Sequence, residues 1–378
     1  MARSLSASLG KRAITSATLL AALLVSAVLC AQTPNSYILA APRSGAIEII
    51  DPASLTTIGR IHFDLPPRSS GLNGVSASPD GTMLYVEGPV PNGPMPGACC
   101  VLYSIDLATL ETRQVADVPG TASRAAFVNS DGVTYNAASL GGAPEIKEMI
   151  RWNDMHISPD GRSIFGVTHF PGGALDIYDP AQGKVLRYLV PVGLGERWWP
   201  NGIWMGDRFL FYATKDDGSA ARLWSVSPDA TQLGEAVSVE PFTKVPGCSS
   251  SVETGLATAA GNVFLYEIFG WKLDRRTRCG GVPGGAWVLD PATGTLLAHI
   301  AGNFYFSELL ADRDKGELYG LSVSDPGWGA GTELVRIDAQ DGTILKSRAL
   351  EADFWRIAYA PLRVFPTADV RALIFSKK

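Results

Sequence analysis

"LDIYDPAQGKVLRYL" at 175–189 places alternating apolar residues before an Asp-Pro turn and a second hydrophobic run after Gly-Lys, and "AWVLDPATGTLLAHI" at 286–300 repeats the plan. A period of two on either side of Asp, Pro, Asn or Gly spells strand, tight turn, strand. The pattern returns as "AIEIIDPASLTTIGRI" (46–61), "VLYSIDLATLETRQV" (101–115), "LWSVSPDATQLGEAV" (223–237) and "ELVRIDAQDGTILKS" (333–347). A second hairpin, closed by Asp-Gly or a relative, precedes most copies. Its instances are "VSASPDGTMLYVEG" (75–88), "MHISPDGRSIFGV" (155–167), "GIWMGDRFLFYA" (202–213), "GLATAAGNVFLYE" (255–267) and "LLADRDKGELYGL" (309–321). "RAAFVNSDGVTYNA" (124–137) reads as a further copy with a degenerate partner, and "WRIAYAPL" (355–362) as a first strand without a hairpin of its own.

Two hairpins in series make a four-stranded antiparallel meander, and a meander of about 40 to 50 residues repeated around a ring is a propeller blade. First strands begin near 73, 124, 154, 201, 254, 307 and 355, which predicts an all-β, seven-bladed β-propeller occupying 32–378 as a single domain. "SYILAA" (36–41) matches a second strand that lacks a first one, and "WRIAYAPL" supplies it. Pairing the C-terminal strand with the N-terminal strands closes the ring and removes an exposed sheet edge.

The pairing of "SPDG..LYV" with "V..ID..TG" resembles the YVTN-type propeller repeat, which is related to the lactonase-like and quinoprotein amine-dehydrogenase-subunit propellers. The resemblance covers nearly all of the chain after residue 31 and implies the fold; it says little of activity, because propellers host unrelated chemistries. A Gly-His and Trp-Asp pair does not recur, which separates the repeat from WD40.

Arg3, Lys11 and Arg12 precede a 13-residue apolar run from Ala17 to Leu29, followed by Cys30-Ala31 and then Gln32. That order reads as a secretory signal peptide over 1–31, since a membrane span needs about 20 apolar residues. A secreted or periplasmic location follows, with no transmembrane segment in the mature chain. Lipid anchoring at Cys30 is the lesser alternative, because that processing favours a small residue where Leu29 stands. Cleavage takes the formal net charge from -5 to -8 over 347 residues, which disfavours nucleic acid as a partner. A monomer is expected.

Cys99, Cys100, Cys248 and Cys279 remain, an even number suited to an oxidising compartment. Three complete pairings are open; Cys248 and Cys279 fall on loops of one predicted blade, where a bridge between them is expected as a loop staple worth about 3 kcal/mol. Cys99 and Cys100 are then left to each other, as a vicinal pair or as free thiols.

Short turns fall on one face of the predicted ring and long connections on the other, at 87–100, 192–202, 241–255, 267–285 and 322–332. Long loops on a rigid scaffold carry function. At the mouth on that face, the starts of the innermost strands bring Asn73, Arg124, Asp154, Asn201, Glu253, Glu308 and Arg356 to one level. Arginines facing carboxylates suit a small polar or anionic ligand. Trp198, Trp199 and Trp271 are expected in exposed loops there, where they could wall a pocket for an apolar or sugar-like ligand or a peptide.

His62, His156, His169 and His299 show no metal-ligand spacing, so no metal centre is expected. Nucleophile-elbow, phosphate-loop and dinucleotide signatures are missing as well, and no cofactor can be named. The "SPDG" and "DPATG" acids read as turn formers. Two functions fit. The first is a binding or interaction protein recognising a small molecule, glycan or protein on the loop-bearing face. The second is a secreted lactonase-like or quinoprotein-subunit enzyme with Asp154, Glu253 or Glu308 as acid or base and Arg124 and Arg356 stabilising an anion.

Overall fold

Each quoted turn closes an antiparallel pair in the computed structural model, which describes residues 36–42, 46–62, 74–89, 99–117, 123–124, 127–128, 134–135, 152–168, 174–179, 184–189, 198–215, 220–228, 234–239, 248–272, 284–312, 315–323 and 331–360. In chain order the first strands are β1 (Tyr37–Pro42), β2 (Ala46–Ile50) and β3 (Thr57–His62). A complete meander follows in β4 (Gly74–Ala77), β5 (Met83–Pro89), β6 (Cys99–Asp106) and β7 (Thr112–Asp117). Three two-residue strands come next: β8 (Ser123–Arg124), β9 (Phe127–Val128) and β10 (Thr134–Tyr135). Meanders resume with β11 (Trp152–Ile157), β12 (Ile164–Thr168), β13 (Ala174–Asp179) and β14 (Lys184–Leu189), then β15 (Trp198–Met205), β16 (Arg208–Lys215), β17 (Ala221–Val226) and β18 (Val237–Val239). The last two groups are β19 (Cys248–Ala259), β20 (Asn262–Lys272), β21 (Ala286–Leu289) and β22 (Leu296–Ile300), and β23 (Tyr305–Asp312), β24 (Glu317–Val323), β25 (Gly331–Asp338) and β26 (Ile344–Ala360).

The turn chemistry explains the regularity. Ser78 donates its hydroxyl hydrogen to Asp80 and accepts from Met83 N (2.9 Å), while Asp80 Oδ1 also accepts from Thr82 N (3.1 Å). Ser158, Asp160 and Ser163 repeat the arrangement, and Gly81 and Gly161 supply the left-handed backbone at φ 72° and 73°. In the third-to-fourth turns, Asp290 Oδ1 accepts from Ala292 N at 2.9 Å. The left-handed residue of these turns is Gly294 or Gly342, but Leu55 and Leu110 take the same place at φ 56° and 60°. A left-handed leucine costs about 1–2 kcal/mol. Leu55 is fully buried, and that burial offsets the cost by a similar amount. The two turns of one sheet touch: Leu107 N donates to Thr82 O (2.8 Å) and Ala339 N to Gly316 O (3.0 Å). Short turns therefore share one face.

The closure is present. Tyr37 through Ala41 of β1 pair with Ala360 through Arg356 of β26, antiparallel. The same β26 pairs upstream with β25, from Ile344 to Ala349 and again at Phe354. One seven-stranded sheet, β23-β24-β25-β26-β1-β2-β3, therefore joins both ends of the propeller-like domain.

Seven separate four-stranded sheets are not found among the described residues. Among the described residues five sheets have four or more strands, and a sixth is only the β9–β10 pair. Two physical causes account for this. Strand β26 runs through without a break and merges two of the expected units. In addition, β4 packs directly against β11, so no sheet from 124–137 stands between them. A Cβ added to Gly161 would lie 3.6 Å from Cδ of Pro79, which shows the two "SPDG" turns side by side. The 124–137 hairpin exists as β9–β10, while β8 has left it to pair in parallel with β14.

Between the β11–β14 and β15–β18 sheets the core is aromatic: Phe165 lies 4.7 Å from Trp204 and 4.8 Å from Phe209, ring centre to ring centre. Gly202 is dictated by this packing, since a Cβ there would stand 2.3 Å from Cζ of Phe209.

Candidate functional site

The first strand of each sheet packs against the first strand of the next: β4 on β11, β11 on β15, β15 on β19, β19 on β23, β23 on β26, and β26 on β4. Their starts share the end opposite the short turns. Several ladders are broken there. Register shifts occur between Trp152 and Asp154 in β11, between Ser249 and Thr254 around Glu253 in β19, and between Phe306 and Glu308 in β23. In β26 the pairing with β1 shifts between Arg356 and Phe354. A bulge bends a strand and re-aims its side chains, and bulges collect beside functional sites.

Asp154, Glu253, Glu308 and Arg356 thus lie at bulged starts of innermost strands. Asn201 lies in the unbroken ladder of β15 opposite Tyr212; it is buried, and its side-chain oxygen accepts from Gly202 N at 2.7 Å. That bond serves the strand itself. Glu308 is half-buried and its Oε2 accepts from Ile357 N at 2.6 Å, so one oxygen is committed to the neighbouring strand.

Other expected members are placed differently. Asn73 falls outside the described residues. Arg124 sits in β8 opposite Arg187 of β14, at the far edge of its sheet from β11 and away from the other starts. Trp198 and Trp199 are ladder residues of β15, paired with Lys215 and Thr214, and Trp271 of β20 pairs with Ser249. The loop expectation failed for all three because the hairpins extend into the stretches read as loops: β19 and β20 run 12 and 11 residues.

The cysteines are only partly visible. Cys248 opens β19 opposite Lys272, and Cys279 falls outside the described residues. Cys99 and Cys100 open β6. No disulfide is recorded among the described residues.

Sequence reasoning passed over Trp204, which is fully buried on β15 with its Nε1 lacking a hydrogen-bond partner among the described residues. Its carbonyl accepts from Thr258 Oγ1 of β19 at 2.9 Å, a link between innermost strands.

Shifted ionisations cluster at the turns. The Ser78 hydroxyl holds Asp80 below the usual carboxylate range, burial opposes this, and the Thr82 amide and hydroxyl assist. The Ser158 hydroxyl likewise lowers Asp160 against burial, and the Ala292 amide lowers Asp290. These acids are turn formers in fact. Burial, followed by the Glu317 charge, pushes the Tyr319 phenol far up, and Arg336 forks onto Glu317 beside it, with Nε to Oε2 at 2.8 Å. Among the described residues no cluster of three or more His, Cys, Asp or Glu could hold a metal, and no helix is long and apolar enough to cross a membrane.

No family model matches the chain, and no curated protein matches it. Solved structures are similar at low identity. A protein of unknown function from Bacteroides caccae superposes with a TM-score of 0.46 at 12% identity, over 86% of this chain and 98% of that one. The Dos1 propeller gives 0.42 at 10%, over 74% and 61%, and dihydro-heme d1 dehydrogenase NirN in complex with DHE gives 0.39 at 14%, over 83% and 63%. The chain spans less than two thirds of the length of the latter two. At this level of likeness none of their chemistry is carried over.

Proposed function

We propose that this chain is an exported binding protein of the YVTN-propeller kind that recognises a small polar molecule, a glycan or a protein segment at the mouth where its innermost strands begin. Six first strands packed in succession support a ring of six sheets rather than seven. The observation that carries the reading is the set of register shifts at Asp154, Glu253, Glu308 and Arg356, which breaks the ladders of four innermost strands near their starts. Uniform ladders would suffice for a spacer. Asp154, Glu253 and Arg356, charged residues at these shifts, are the ones assigned to the ligand.

The test is a thermal-shift screen of the purified domain from residue 32 against sugars, amines, lactones, quinones and metal ions. A ligand held at about 100 times its Kd contributes about 2.7 kcal/mol, enough for a rise of several degrees. Glu253→Ala should abolish that rise while leaving the unliganded Tm within about 2 °C of the parent. An undiminished rise in the variant overturns the mouth as the binding site.

A further inference from the structure

At five of the six boundaries the first strand belongs to a hairpin, so a short turn ties it to its neighbour in the sheet. Residues 354–360 of β26 are different: their sheet neighbour is β1, more than 300 positions earlier in the chain. Nothing covalent near the site keeps the two together. The backbone ladder does, and side chains of the adjoining β25–β26 arm add links to the β2–β3 turn. Arg348 donates through Nη1 to Leu55 O (2.6 Å) and through Nη2 to Thr57 Oγ1 (3.0 Å). Arg336 reaches Ala53 O at 3.4 Å. On the opposite edge, where among the described residues no further strand pairs with 355–360, Glu308 Oε2 takes the amide of buried Ile357 at 2.6 Å.

We propose that Glu308 is the latch of this ring: its carboxylate sets how firmly the terminal strand, residues 354–360, stays docked on β1, and release of that strand is the first opening motion of the fold. Local openings are drawn from elements with few covalent constraints. A buried amide that loses a charged acceptor has no compensating partner, so the closed state loses more than an exposed hydrogen bond would cost. The latch does not depend on the ligand reading, since it uses the oxygen already committed to Ile357.

Hydrogen exchange of the full chain, read by mass spectrometry on peptides covering 354–360 and 209–226, tests it. Glu308→Ala should speed exchange in 354–360 on the order of tenfold and leave 209–226 within about twofold. Glu308→Gln keeps an acceptor oxygen and should stay within about threefold of the parent in both peptides. Equal acceleration of both peptides in the Ala variant, no acceleration of 354–360, or a Gln variant as fast as Ala would each overturn the proposal. Should Glu308→Ala fail to fold, Glu308→Asp, which draws the carboxylate back from the Ile357 amide, is expected to give the same ordering, and uniform exchange in that variant would overturn it equally.

Discussion

Two boundaries between sheets are built from different forces. Where β11–β14 meets β15–β18, Phe165, Trp204, Phe209, Phe211 and Trp224 fill the gap, with Trp204 and Phe209 ring centres 5.2 Å apart. Where the chain ends meet across β26, apolar residues such as Ile38, Leu321 and Leu334 are present too, but Arg336, Arg348 and Glu308 stitch backbone and side chains across the seam. Sheets that follow one another in sequence are held close by the chain, so non-directional burial is enough to join them. Ends that meet from opposite ends of the sequence need directional bonds, because a one-residue slip of β26 on β1 would turn every buried side chain outward.

The largest expected effect attacks the aromatic boundary. Phe209 touches Phe165, Trp204 and the His156 ring and covers Gly202. Phe209→Ala should cost about 3–5 kcal/mol in urea unfolding of the whole domain. At the seam, Arg348→Ala removes two hydrogen bonds and should cost about 1–3 kcal/mol, with Arg348→Lys recovering at most part of it, since one ammonium cannot match the guanidinium fork. A seam variant that costs as much as Phe209→Ala would break the proposed division of labour.

Much of this architecture is legible in the chain because it is local. Every quoted hairpin is an antiparallel pair, and "WRIAYAPL" does complete the sheet begun by "SYILAA". What misled was also local. "RAAFVNSDGVTYNA" carries the alternation of a hairpin and forms one, yet alternation cannot say whether a hairpin stands in the ring; the packing of β4 on β11 decides that, between residues about 80 apart. The bulges at Glu253 and Glu308 were equally hidden, because an inserted residue shifts register without changing residue type. Trp198 and Trp271 looked like loop residues amid Gly, Pro and charge, whereas long-range pairing drew both into strands.

The short-turn face offers a third kind of bond and the smallest effect. Asp80 has its folded pKa lowered, first by the Ser78 hydroxyl, so its deprotonated form stabilises the fold above the ordinary carboxylate value of 3.8. That contribution is lost as pH falls through the lower folded value, and because the side chain is mostly exposed, screening leaves a few tenths of a kcal/mol. Asp80→Asn keeps an oxygen for Ser78 and Thr82 but cannot titrate. Its urea midpoint should lie slightly below the parent's at pH 6 and converge with it near pH 2. A gap that stays constant between those values would mean that the turn is held by shape alone and that its charge, unlike the charges of the seam, contributes nothing.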